Sequence, residues 1–68
     1  MKDEAQKLAE NLRRIRTSKG ISQGDIVKAT GIDKAMISNI ENRKTNPTLT
    51  TIAKIAKAIG VSVGELMK

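Results

Sequence analysis

The sequence of 68 residues contains no cysteine, no histidine and no phenylalanine, tyrosine or tryptophan. Without cysteine and histidine, zinc fingers, thiolate nucleophiles, imidazole bases and Ser-His-Asp triads are excluded. No disulfide can form, so the fold must rest on packing and polar contacts alone. Without aromatic rings the chain also lacks stacking surfaces for single-stranded bases, which weakens RRM-like and OB-like interpretations. We therefore expect no enzyme and no bound cofactor or metal.

The length restricts the chain to one small domain over residues 1–68. Chains of ~55–65 residues often fold alone, although they bury only ~60% of their unfolded surface. No apolar run approaches the ~18–20 residues of a membrane span. The charged N-terminal sequence MKDEAQK has no signal-peptide core. The sequence thus predicts a single-domain cytoplasmic protein.

Basic residues outnumber acidic ones by 13 to 7, which gives a formal net charge of +6. The first ten residues are nearly balanced, and from residue 11 onward there are eleven basic and four acidic residues. Such a bias indicates a polyanionic partner, either nucleic acid or an anionic membrane surface. A merely solubilising surface is the alternative, and composition alone does not decide between them.

Apolar residues recur at helical spacing in five segments, which predicts an all-α fold. The first helix is expected from about Lys2 to Ser18 and the third from Lys34 to Asn42. Glycines mark the expected helix ends: Gly20, Gly31 and Gly60. Side chains that can cap a helix mark the later starts: Ser22, Asp33, Thr48 and Ser62. The apolar positions assigned to the first and fourth helices are Ala5, Leu8, Leu12 and Ile15, and Leu49, Ile52, Ile55, Ala56 and Ile59.

The segment QGDIVKATGIDKAMISNI, residues 23–40, holds two short helices that meet at Gly31. We expect Ile26 and Ile37 to face each other across the turn and Ile32 to fill its corner. This is the spacing of a helix-turn-helix, whose second helix can enter a major groove of DNA. An ordinary helical hairpin is the alternative.

From Leu8 to Leu66 the sequence resembles the lambda-repressor-like (Xre/Cro) helix-turn-helix family. Four segments carry the resemblance: IRTSKGISQ, VKATGI, ISNIENRKTNPTL and IAKAIGVSVGEL. The resemblance implies a five-helix domain with the helix-turn-helix at helices 2 and 3, bound to double-stranded DNA. Two positions depart from the family, which usually has alanine in place of Val27 and glycine in place of Arg43. If position 43 needs a positive φ, arginine is disfavoured there, and Asn42 is an alternative for that conformation.

If the third helix enters the groove, its outward residues reach base edges: Lys34, Ala35, Ser38 and Asn39. Contacts to phosphates are expected from the start of helix 2 and from the connection after helix 3: Gln23, Asn42, Arg43, Lys44, Asn46 and Thr48. A solvated helix face is the alternative for Lys34 and Asn39.

The resemblance also implies an internal ion pair and a dimer. Arg16 and Glu41 occupy positions at which relatives pair across the core, so Glu41 is assigned a structural role. Members of the family usually bind palindromes as homodimers, with half-sites ~34 Å apart. The interface is expected in an apolar C-terminal set, with core packing as the alternative: Val61, Val63, Leu66 and Met67. For Val61 and Leu66 we expect the core to take most of the side-chain surface.

These features together predict a bacterial, phage or plasmid transcriptional regulator, similar to small restriction-modification controller proteins. It would bind a palindromic operator as a homodimer through the major groove, with no small-molecule ligand and no membrane as partner. An antitoxin or adaptor that mainly binds another protein is one alternative. A basic membrane-surface protein is the other, although it would lack an aromatic anchor.

Overall fold

The computed structural model describes residues 3–68, which form five helices and no strand. The helices are α1 Glu4–Ser18, α2 Gln23–Thr30, α3 Lys34–Glu41, α4 Leu49–Ile59 and α5 Val63–Leu66. The all-α prediction is therefore confirmed. The expected start of the first helix at Lys2 lies outside the described residues. Among residues 3–68, no helix combines the length and the apolar character needed to cross a membrane.

Side-chain caps begin four of the five helices, because a hydroxyl or carboxylate accepts an otherwise unpaired amide of the first turn. The caps are Asp3, Ser22, Thr48 and Ser62. At α2 the cap is reciprocal: Ser22 Oγ accepts from Asp25 N at 3.0 Å, and Asp25 Oδ2 accepts from Ser22 N at 2.9 Å. These two hydrogen bonds, with the nearby Lys28 ammonium, lower the pKa of Asp25 below its ordinary value of 3.8.

The predicted cap at Asp33 is wrong. Asp33 does precede α3, and its backbone carbonyl accepts from Ile37 N at 3.1 Å, but its side chain makes no capping hydrogen bond. Its ψ of 141° also differs from the 159° to 174° of the other four caps. The start of α3 therefore depends on tertiary packing more than the starts of the other helices do.

One apolar core joins all five helices, since α1 packs on α3 and α5, α2 packs on α3 and α4, and α4 packs on α5. The buried apolar residues are Leu8, Ala9, Leu12, Ile15, Ile26, Ile37, Ile40, Ile52, Ile55, Ala56, Ile59 and Leu66. Leu49 departs from the predicted inward face of α4, because it is 70% exposed at the first position of that helix. Asn11 Nδ2 donates to Leu66 O at 2.8 Å and ties α1 to the end of α5.

Candidate nucleic-acid interface

The connection between α2 and α3 is held by both packing and hydrogen bonds. Ile26 and Ile37 are buried in the core, 1% and 0% exposed, and Ile32 packs against it from the turn. Gly31 ends α2 in the left-handed conformation, with φ of 76°, and donates to Val27 O at 2.8 Å. The helix-turn-helix packing expected from the sequence is thereby confirmed, and α3 is fixed with one face outward.

The outward face of α3 presents a lysine together with small and short polar side chains. Lys34, Ala35 and Asn39 are exposed, whereas Ser38 is half-buried. Asn42 Nδ2 donates to Ser38 Oγ at 3.3 Å, so a predicted base contact and a predicted phosphate contact touch each other. Met36, which was assigned no contact, is 40% exposed on the same helix. All four predicted base-reading residues thus lie on one helix, and three of them are exposed.

The end of α3 has an arginine in the left-handed conformation that glycines adopt at the ends of α1, α2 and α4. Lys44 N donates to Asn39 O at 2.8 Å and Arg43 N to Ile40 O at 3.2 Å, which is a Schellman motif with Arg43 at C′. Arg43 has φ of 61° and is the single non-glycine residue with positive φ in residues 3–68. Asn42, the alternative for this conformation, has φ of −96° instead. An L-residue here costs free energy that glycine would not.

The connection after α3 exposes most of the residues assigned to phosphates. Asn42, Arg43, Lys44, Asn46 and Thr48 are all exposed. The hydroxyl oxygen of Thr48 also accepts from the backbone N–H of the third residue of α4 at 3.2 Å. Arg43 and Lys44 therefore supply the formal positive charge of this segment.

The predicted pairing of Arg16 with Glu41 is present and lies inside the protein. Arg16 Nε donates to Glu41 Oε2 at 2.7 Å, and Arg16 Nη2 donates to Glu41 Oε1 at 3.1 Å. The Glu41 side chain is 0% exposed, so its charge is acceptable only because a guanidinium binds both oxygens. Arg16 Nη1 also donates to Ile21 O at 2.9 Å, which anchors the turn between α1 and α2.

Two further contacts at Glu41 were missed by sequence reasoning. Gln23 Nε2, assigned to a phosphate, donates to Glu41 Oε1 at 3.1 Å. Arg13 Nε lies 3.7 Å from the same oxygen, with 62% of the side chain exposed. Arg13 and Arg43 line one small cleft above Glu41. The helical spacing of Arg13 and Arg16 on α1 was the available signal, because residues three apart share a face.

The apolar C-terminal set assigned to a dimer interface divides between core and surface. Leu66 is 0% exposed within the single chain, so its assignment to the interface is corrected: it fills the core beneath α5 and has no surface to offer. Val61, Val63 and Met67 are half-buried and pack against that core. These three side chains retain surface that a partner can cover.

The geometry is that of a helix-turn-helix domain, and residues 12–66 match the helix-turn-helix family. The chain belongs to that family, and the predicted lambda-repressor-like (Xre/Cro) membership is confirmed. Within residues 3–68 no cluster of three or more His, Cys, Asp or Glu side chains that could hold a metal ion occurs.

Two curated proteins and two solved structures show how this chain compares with known proteins. A hypothetical transcription factor of Neisseria meningitidis serogroup B is 37% identical over 60 residues, which cover 88% of this chain and 57% of that protein. The crystal structure of a Neisseria hypothetical transcription factor superposes with a TM-score of 0.91 at 35% identity, over 97% of this chain and 76% of that one. The present chain thus spans little more than half of that curated relative.

The other two relatives differ in what their names describe. Restriction-modification controller protein C.Esp1396I, crystallised as a tetramer in complex with its natural 35 base-pair operator, superposes with a TM-score of 0.83 at 26% identity, and 100% of each chain is covered. Antitoxin HipB of Escherichia coli K12 is 39% identical over 56 residues, covering 82% of this chain and 64% of that protein.

Proposed function

We propose that this protein is a transcriptional regulator that binds double-stranded DNA sequence-specifically by placing α3 in the major groove. The observation that carries the proposal is the geometry of α3. Its inner face is locked in the core by Ile37 and Ile40, while Lys34, Ala35 and Asn39 stay exposed on the other face. A helix held in this way can enter the major groove of DNA while the rest of the domain keeps its fold.

The exposed groups of α3 match the hydrogen-bonding pattern of base edges. Lys34 can donate to the N7 and O6 acceptors of guanine, and Asn39 can pair with adenine through two hydrogen bonds. Ala35 can contact a thymine methyl group, and Ser38 can donate or accept. Each good two-bond pair discriminates against the wrong base by ~1–3 kcal/mol, so Asn39 is expected to dominate at one operator position.

Phosphate contacts would orient α3 without reading sequence. The proposed set surrounds α3 at the start of α2 and along the connection to α4: Gln23, Asn42, Arg43, Lys44, Asn46 and Thr48. Among these, Arg43 and Lys44 neutralise charge, so they should contribute to the salt dependence of binding. The remaining side chains are neutral and should act through hydrogen bonds.

We propose further that two copies of this chain bind a palindromic operator as a homodimer. One α3 reads only a few base pairs, and two copies on half-sites ~34 Å apart would combine their contacts. Val61, Val63 and Met67 form the proposed interface, because they are apolar and half-buried at one end of the chain. The tetramer of C.Esp1396I on its operator supports self-association in this family.

The proposed interface is tested by sedimentation of Val63→Arg, because a charge in an apolar contact opposes association. The sedimentation coefficient should fall to that of a monomer while the helical signal is unchanged. Thr17→Arg, which adds the same charge at an exposed position of α1, is the matched control and should leave association unchanged. Equal sedimentation of both variants and the wild type would place the interface elsewhere.

The DNA proposal is tested by selection from randomised duplex DNA with the purified chain. We expect one enriched sequence with two-fold symmetric half-sites, and affinity for it that falls with salt at a log-log slope of roughly −0.9 per phosphate neutralised. Selection without any enriched sequence, or a flat response to salt, would refute the proposal.

An antitoxin or adaptor is the second candidate, favoured by the 39% identity to antitoxin HipB. The affinity of the isolated chain separates the two candidates. A regulator that acts alone should bind the selected duplex with a Kd of about 10⁻⁸ M or tighter at physiological salt. An adaptor that needs a protein partner should stay within the non-specific range of ~10⁻⁴–10⁻⁶ M.

A further inference from the structure

We propose that Glu41 is a specificity-determining positioning residue whose buried carboxylate fixes the start of α2 against the end of α3. This inference rests on the proposed function, because it concerns the spacing between phosphate contacts and base contacts. Glu41 itself touches no DNA in this account, since its side chain is 0% exposed. It acts through the groups that it holds.

The hydrogen bonds at Glu41 join three separate parts of the chain. Glu41 is the last residue of α3 and accepts from Arg16 of α1 at 2.7 and 3.1 Å. Glu41 Oε1 also accepts from Nε2 of Gln23, the first residue of α2, at 3.1 Å. Arg16 Nη1 donates to Ile21 O at 2.9 Å, two residues before α2. The start of α2 is therefore tied to the end of α3 both directly and through Arg16.

The amide group of Gln23 can serve both sides of this network. A glutamine amide nitrogen carries two hydrogens, and the bond to Glu41 uses one of them. The second remains for a phosphate oxygen, which matches the phosphate contact proposed for Gln23. The Glu41 carboxylate thereby orients the neutral amide of Gln23 toward the DNA backbone. Without this hydrogen bond, the Gln23 side chain would exchange among several rotamers.

The other end of the network is the base-reading helix. Ser38 and Asn39 lie within one helical turn of Glu41 on α3. Fixing the position of Glu41 therefore also fixes the positions of Ser38 and Asn39 relative to the start of α2. Specific binding requires phosphate and base contacts to form together, whereas non-specific binding requires only phosphate contacts. Loosening the network should therefore lower specific affinity more than non-specific affinity.

A charge-neutral replacement separates this role from folding. Removing one partner would leave a buried, unpaired charge, which strongly destabilises a protein, but replacing both with apolar residues is often neutral or stabilising. The variant Arg16→Met with Glu41→Leu loses one positive and one negative charge, so the net charge stays +6. Its general attraction to DNA should be retained, while the anchor for Gln23 is lost.

The experiment measures the ratio of affinities for the operator returned by selection and for a scrambled duplex at fixed salt. The neutral-pair variant should lower this ratio by at least about fivefold, with affinity for the scrambled duplex changed much less. Gln23→Ala also removes the proposed phosphate contact, so it should weaken binding to both duplexes and still lower the ratio by a similar factor. Adding Gln23→Ala to the neutral-pair variant should lower the ratio no further, because Glu41 acts through Gln23. Circular dichroism on the same samples establishes that each variant is folded.

Gln6→Ala is the matched control. Gln6 Nε2 donates to Glu10 Oε2 at 3.2 Å, which is the same type of contact on the surface of α1. Its loss should leave the ratio unchanged. If the neutral-pair variant does not fold, the ratio measured for Gln23→Ala still decides, since alanine keeps the ion pair and removes the side chain that joins Glu41 to α2.

Three results distinguish failure of this inference from failure of the proposed function. An unchanged ratio in folded Gln23→Ala, which means equal losses on both duplexes, overturns the inference and leaves DNA recognition by α3 intact. Fully additive losses in the combined variant overturn the action of Glu41 through Gln23. Failure of the selection to return any operator refutes the proposed function instead.

Discussion

Replacing Arg43 with glycine should make the protein more stable while weakening its binding to DNA. Arg43 holds φ of 61° at the C′ position of α3, where Gly20 and Gly60 hold the corresponding left-handed conformation, with φ of 70° and 76°, after α1 and α4. The two Schellman hydrogen bonds at α3 come from backbone N–H groups, so glycine keeps them. What glycine removes is the contact between Cβ and the following carbonyl oxygen.

The magnitude follows from two opposing contributions. An L-residue in the left-handed conformation costs roughly 1–2 kcal/mol. Glycine loses more backbone freedom on folding than other residues do, which costs about 0.5–1 kcal/mol. The free energy of unfolding of Arg43→Gly should therefore exceed that of the wild type by about 1 kcal/mol, or by ~4–8 °C in Tm for a domain of this size.

Urea and thermal unfolding followed by far-ultraviolet circular dichroism provide the assay, because the chain has no aromatic residue to serve as a fluorescent probe. Arg43→Ala is the matched control: it removes the same charge but keeps the left-handed strain. If Arg43→Gly is no more stable than Arg43→Ala, the strain argument is refuted. In both variants the slope of log affinity against log salt should become less negative by about 0.9, as expected for one lost phosphate contact.

The remaining predictions concern a cap and the core. Asp25→Asn should lower stability near neutral pH, and its difference from the wild type should shrink as the pH falls below about 4, as urea unfolding at several pH values would show. The sign follows because the folded-state pKa of Asp25 lies below 3.8, so the stabilisation is present above that value and is lost as the carboxylate is protonated; a constant difference would contradict the cap. Leu66→Ala should cost ~2–5 kcal/mol in unfolding free energy, since the side chain is 0% exposed. A loss below ~1 kcal/mol would return Leu66 to the proposed interface.

Helix periodicity and capping residues predicted nearly all of the fold. The glycines at the ends of α1, α2 and α4 and the caps at Ser22, Thr48 and Ser62 act locally, so their roles can be deduced from neighbours in the sequence. The cap predicted at Asp33 was wrong. Residue type shows that a side chain can cap a helix, but a cap also depends on backbone angles that residue type does not determine.

Tertiary contacts were less accessible to sequence reasoning. Leu66 fits helical spacing equally well as core or as interface, and only the arrangement of α1 and α5 shows that it is enclosed. The contact of Gln23 with Glu41 joins residues 18 positions apart and depends on how α2 meets α3. The sequence showed that arginine is unusual at position 43. Only the coordinates show that Arg43, and not Asn42, adopts the positive φ.

Arg43 and Glu41 illustrate two ways in which the proposed interface departs from what folding alone favours. Arginine at C′ of α3 is strained, and residues held in rare backbone conformations often have functional roles. Glu41 places a charge in the interior, where a well-packed apolar pair can be equally stable. Both residues lie at the end of α3, where the proposed base contacts adjoin the proposed phosphate contacts.

The most direct test of the central claim, that α3 reads base sequence, is a set of operator duplexes with each base pair substituted in turn. Affinities of the wild type, Asn39→Ala and Lys44→Ala are measured for every duplex at one salt concentration. Asn39→Ala should lose ~1–3 kcal/mol of discrimination at one position of each half-site, whereas Lys44→Ala should weaken all duplexes about equally. Identical profiles for the two variants, with no position at which Asn39→Ala has lost its preference, would contradict base reading by α3.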